Sequence, residues 1–128
     1  MRDIVSNIGV KLALSPAVQA ATIKGNTVDL QGSGSVAFIV NTGAIAGAGD
    51  FTAKIQESDT TTDGDFTDVV AGDLIGSLPA TLTADASVKQ GYIGHKRYVR
   101  VVLTKNGGTS IAAGAVAILG NVASRPVA

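Results

Sequence analysis

The chain has 128 residues, ten acidic and ten basic side chains, and no cysteine. That is one domain's length, and the balanced charge argues against a general binder of nucleic acid or of anionic membrane, both of which require excess positive charge. Without cysteine there is no disulfide framework or thiolate chemistry, and 19 alanines with 16 glycines bury little area, so the core is thin and a partner surface or oligomer is expected.

Residues 1–18 carry Ile4, Val5, Ile8, Val10, Leu12 and Leu14 ahead of Ser15-Pro16. Asp3, Ser6, Asn7, Gly9 and Lys11 interrupt these apolar residues, so no signal-peptide core is present and the segment is expected to belong to the mature protein. Proline fixes φ and lacks an amide hydrogen, which predicts that no regular element runs through Pro16. Residues 1–18 are therefore expected to form an extended arm. Its apolar side chains, Ile4, Val5 and Ile8 among them, are candidate docking residues because soluble monomers tend to avoid such exposed patches.

From Ala20 onward short runs alternate with turn residues. Ala21–Ile23 precedes Lys24-Gly25-Asn26, and Thr27–Gln31 precedes Gly32-Ser33-Gly34. Residues 35–42 place Val36, Phe38 and Val40 on one strand face, and Gly43–Gly49 reads as a flexible Ala/Gly loop. Phe51, Ala53 and Ile55 alternate with polar residues, Asp63-Gly64 is a turn signal, and Phe66–Val70 reads as a short return strand. Residues 74–83 are broken by Gly76 and Pro79, and Val88–Ile93 reads as another strand.

The clearest element follows. Tyr98, Arg100, Val102 and Thr104 fall on one face, and Val99, Val101 and Leu103 on the other; this period of two predicts a strand with an apolar core face. Asn106-Gly107-Gly108 predicts a hairpin from that strand into Ile111–Leu119. The expected organisation is an arm at 1–18, a β domain at 19–120 and a loose tail at 121–128. The fold class is all-β, an antiparallel β-sandwich or barrel-like domain. No apolar run is long enough for a transmembrane helix.

Chemistry is sparse. His95 is the sole histidine, whereas zinc needs three or four close ligands. No Gly-x-Ser-x-Gly elbow frames a nucleophile, and Gly43–Gly49 lacks the spacing of a phosphate-binding loop. Residues 57–68 carry five acidic side chains, but not at EF-hand spacing, so a solvated hairpin tip without bound calcium is expected. No metal or cofactor is expected. Lys96, Arg97 and Arg100 cluster in an otherwise neutral chain and are candidate docking residues for an acidic protein surface.

Two stretches carry a family likeness: Ile55-Gln56-Glu57-Ser58-Asp59 with Phe66-Thr67-Asp68-Val69, and Gly91-Tyr92 with Lys96-Arg97-Tyr98-Val99-Arg100-Val101-Val102. Across roughly residues 50–104 the chain resembles small β-rich decoration, or cement, proteins encoded near the major capsid protein of tailed bacteriophages. The resemblance implies a non-enzymatic virion protein, made in the host cytoplasm, that binds the outside of the head and stabilises its lattice. It implies the major capsid protein as partner and homotrimers as the oligomer, with no nucleic acid or membrane contact. Two alternatives remain at this stage. One is another virion component, such as a head–tail connector, tail-tube or fibre-base subunit. The other is a small carbohydrate- or ligand-binding β-sandwich, which the scarcity of aromatics disfavours.

Overall fold

The computed structural model describes residues 3–122. Ten strands follow in order: β1 (Gly9–Gln19), β2 (Ile23–Lys24), β3 (Val28–Asp29), β4 (Ser33–Ala46), β5 (Asp50–Ser58), β6 (Thr67–Asp68), β7 (Leu74–Ile75), β8 (Ser87–Tyr92), β9 (Tyr98–Gly107) and β10 (Ser110–Val122). Single 3₁₀ turns occupy Val5–Asn7, Asp63–Asp65 and Ala71–Asp73. The strands form two antiparallel sheets, one ordered β1-β10-β4-β8-β7 and the other β2-β9-β5-β6, with β3 also paired to β9. The fold is the expected all-β sandwich.

The core lies between the sheets. Val99, Val101 and Leu103 of β9 are fully buried, as their alternation predicts. They meet Phe38, Val40 and Ile111 of the first sheet in one apolar cluster with Phe51 and Leu82. Those few large side chains carry most of the burial, because the remaining positions are largely Ala and Val.

The N-terminal segment differs from the expected arm. Residues 9–19 are β1, paired to β10 from Gly9↔Leu119 to Gln19↔Ile111. Ala13 and Leu14 are buried in the core. Pro16 does not end the strand because β1 is the edge of its sheet, where a missing amide hydrogen costs no ladder bond. The register shifts on either side of Leu14, and this bulging lets Pro16 lie over Gly114, where an added Cβ would sit 2.9 Å from Pro16 Cα. Gly25 and Asn26 then tie the two sheets together. The Gly25 amide donates to the Val101 carbonyl of β9 and the Asn26 amide donates to the Ala13 carbonyl of β1, each at 2.7 Å. Residues 1–2 and 123–128 lie outside the described residues, so most of the expected tail is not addressed; 121 and 122 are the end of β10.

The glycine-rich segments also differ from expectation. Residues 43–46 continue β4 rather than forming a loop. Asn106-Gly107-Gly108 does not close a hairpin, because β9 and β10 belong to different sheets. The chain crosses there from one sheet to the other, as it does between β4 and β5. The two crossings run side by side: Ala46 pairs with Ser110 and Asp50 with Gly107. A Cβ on Gly108 would overlap the Ala48 carbonyl oxygen, and one on Gly49 would overlap the carbonyl oxygen of Ser110. Gly47 and Gly108 have φ of 57° and 72°, in the region glycine adopts without steric cost. Glycine is thus required where two bent backbones touch.

Candidate functional site

The basic cluster lies around the turn that leads from β8 into β9. Each of its cations meets a carboxylate of the same chain. Lys96 Nζ is 2.7 Å from Asp59 Oδ2. Arg97 grips Asp29 through both ends of its fork, Nε to Oδ1 at 2.9 Å and Nη2 to Oδ2 at 2.8 Å, and also donates to Gln31. Arg100 is buried. Its Nη1 donates to Asp63 Oδ1 at 2.6 Å, its Nε and Nη2 donate to Gln56 Oε1, and its guanidinium lies 4.1 Å from the centre of the Phe66 ring.

These pairings explain the acidic segment. β5 and β6 form a hairpin with Gln56↔Asp68 and Glu57↔Thr67 in register. Its loop, residues 59–66, folds back over the outer face of the second sheet. Phe66 is buried beneath Arg100, and Asp63 bridges Arg100 and Lys24. Asp59, Asp63 and Asp68 are therefore drawn apart toward different cations, and Glu57 and Asp65 accept from the Tyr92 and Thr60 hydroxyls. Among the described residues no group of three His, Cys, Asp or Glu side chains converges as a metal site would require. Tyr92 adds a link between the sheets: its hydroxyl donates to Glu57 Oε1 at 2.7 Å and accepts from the Lys96 amide at 3.0 Å. Burial, and then the Glu57 carboxylate, push this phenol's pKa above its ordinary value.

The ion pairs give the chain a defined acid response. The hydrogen bonds from Arg97 hold Asp29 down at about 2, against an ordinary 3.8. Hydrogen bonds from Lys24 and Arg100 lower Asp63, and those from Gln56 and Lys54 lower Asp68. A carboxylate whose folded pKa lies below its unfolded one contributes stability that is complete above the unfolded value and lost as pH falls through the folded one. Denaturation midpoints are expected to hold steady down to about pH 4 and to fall between about 4 and 2. Arg97→Gln, which removes the Asp29 pair, should flatten part of that fall. A midpoint that rises on acidification through this window would contradict the pairing.

His95 is exposed and makes no hydrogen bond among the described residues. It lines a shallow concavity of about 310 Å³ with Leu30, Tyr92, Lys96 and Arg97. Nothing there pairs a nucleophile with a base. Of the other candidate residues, Ile4 and Val5 are 55% and 82% exposed and Ile8 is half-buried, in and beside the 3₁₀ turn that precedes β1. The structure thus separates the two candidate groups, one at the start of β1 and one at the start of β9.

The feature that sequence reasoning missed is the outer face of the first sheet. One cross-strand row runs Leu12, Val116, Ile39 and Lys89; the next runs Val10, Ile118, Ala37, Gly91 and Ile75. Val10, Leu12, Val18 and Ile75 are between 49% and 69% exposed. A groove of about 470 Å³ along Pro16, Val18, Ala112, Gly114 and Val116 opens on this face. The signal was available: Val36–Val40 and Ala112–Leu119 are apolar at successive positions rather than alternate ones, the pattern of strands covered on both faces.

No protein-family model matches the chain, and no curated protein matches it. Among solved structures it is similar to that of infectious bursal disease virus, Gx strain, with a TM-score of 0.49 and 15% sequence identity over 93% of this chain and 34% of that one. The chain spans about a third of that protein's length, 34%, and a likeness of this degree carries no argument about function. No helix among the described residues is long and apolar enough to cross a membrane.

Proposed function

We propose that this chain is a non-enzymatic structural protein of a virion, bound to the outer surface of a phage-like head and stabilising its lattice. The observation that carries the reading is the contrast between the two outer faces of the sandwich. The second sheet is covered by its own ion pairs and by the folded-back hairpin loop. The first presents apolar rows to solvent, which is the surface expected of a domain that functions on another protein. The resemblance of residues 50–104 to decoration proteins and the thin core agree with it.

In this reading the major capsid protein is the partner and the virion surface the location. Trimers are the oligomer, and Ile4 and Val5, exposed beside β1, are available for contacts between copies. The mechanism is mass action: a protein that binds only the assembled lattice stabilises that lattice. Repeated engagement at neighbouring positions strengthens the effect through effective concentration.

Copy number distinguishes this reading from a connector. Quantitative mass spectrometry of purified particles is expected to give copies on the order of hundreds per particle, tracking lattice symmetry. About six or twelve copies, as a ring at one vertex would hold, would replace decoration with a connector role.

A further inference from the structure

The charges of this neutral chain are not evenly distributed. The five strands of the first sheet contain no Asp or Glu at all; their charged residues are Lys11 and Lys89. All ten carboxylates lie elsewhere. Lys11 is opposite Ala117, a core position, so it is at the edge of the sandwich on the inner side of β1. Lys89 is opposite Ile39, whose neighbours Phe38 and Val40 are core, so it stands on the outer face. It is exposed and forms no ion pair among the described residues. The outer face of the first sheet thus presents apolar rows with a single cation, Lys89, at the end of the row through Leu12, Val116 and Ile39.

We infer that this face docks onto an apolar protein surface that supplies a carboxylate opposite Lys89. Covering the face removes Val10, Leu12, Val18, Val116, Ile118 and Ile75 from water, and non-polar burial drives association. The same covering strips water from Lys89, which is tolerated only against an opposite charge. A second copy packed face to face cannot provide it, because the sheet holds no carboxylate. The charge pattern therefore selects a different protein, and under the shell-binding reading, on which this inference rests, that protein is the head lattice. Lys96, Arg97 and Arg100 already have carboxylates within the chain, whereas Lys89 has none among the described residues.

The test uses heads purified from a virus lacking this gene and the full chain added back, with bound fraction read by co-sedimentation. Wild type is expected to bind. Lys89→Glu should bind at least about tenfold more weakly at low salt, with a smaller deficit at high salt, because screening weakens the new repulsion. Leu12→Gln should weaken binding at both salt concentrations. Lys54→Glu, on the outer face of the second sheet, should bind as wild type. Circular dichroism melts of all three variants check that the fold is intact. Failure of wild type to bind overturns the shell-binding reading itself. Binding by wild type with Lys89→Glu and Leu12→Gln equal to it overturns this face alone. Self-association of the free wild-type chain that Leu12→Gln abolishes, with head binding unchanged, assigns the face to a second copy and likewise overturns the inference.

Discussion

Val101→Asp is expected to abolish cooperative folding. Val101 is fully buried at the centre of β9, and its carbonyl also accepts the Gly25 amide that helps to join the sheets. A carboxylate there has no cation within the core cluster to meet it, so it must be buried charged or protonated at a penalty. The cost is on the order of 4 kcal/mol or more, comparable with the whole stability of many single domains. The thin core leaves little reserve to absorb it. Val101→Ala removes two methyl groups without adding charge and is expected to cost about 2–3 kcal/mol while preserving a cooperative transition. Urea denaturation followed by circular dichroism separates the outcomes. A Val101→Asp chain that melts cooperatively at the wild-type midpoint would contradict the placement of Val101 between the sheets.

The second large effect is expected at the crossing between β9 and β10. Three glycines in this chain separate two sources of strain. Gly107 has room for a Cβ and no left-handed φ; Gly32 has room but a φ of 87°; Gly108 has a φ of 72° and a Cβ that would overlap the Ala48 carbonyl. Gly107→Ala is expected to change stability by less than about 0.5 kcal/mol. Gly32→Ala should cost about 1 kcal/mol, the penalty of a left-handed backbone with a side chain. Gly108→Ala should cost roughly 2–4 kcal/mol, because the backbone overlap adds to that penalty and neither crossing can move without displacing the other. The midpoint of chemical denaturation, at unchanged slope, measures all three. Equal effects at Gly32 and Gly108 would show that the two crossings do not touch.

The same crossing shows where the sequence stops being informative. Asn106-Gly107-Gly108 carries real turn chemistry, and the chain does bend there. Whether the flanking strands pair with each other is decided elsewhere, by β9 pairing with β5 and β10 pairing with β4 and β1. Local residues cannot encode that choice. Pro16 misleads in a related way, since proline excludes only central strands, and edge position is a property of the whole sheet. The strand β9 was legible because one face is apolar core and the other carries Tyr98, Arg100 and Thr104 beneath a polar loop, so period two survives in its sequence.

The basic cluster was visible as charge but not as partnership. Arg97 and Asp29 are 68 residues apart in sequence, and Arg100 and Asp63 are 37 apart, so their pairing follows from the fold and from nothing local. Conversely, the outer face of the first sheet was written in the sequence as runs of successive apolar residues without a carboxylate. Those runs read as strands with two buried faces, and the second face becomes conspicuous only when the sandwich leaves it uncovered.

Cryo-electron microscopy of particles that contain this chain tests the central claim most directly. The account predicts many copies of the sandwich on the outside of the head, with the rows through Leu12, Ile39 and Ile118 against the shell and a carboxylate of the shell protein beside Lys89. A sandwich that is absent from the shell, or that faces it with the second sheet while those apolar rows point into solvent, would contradict it.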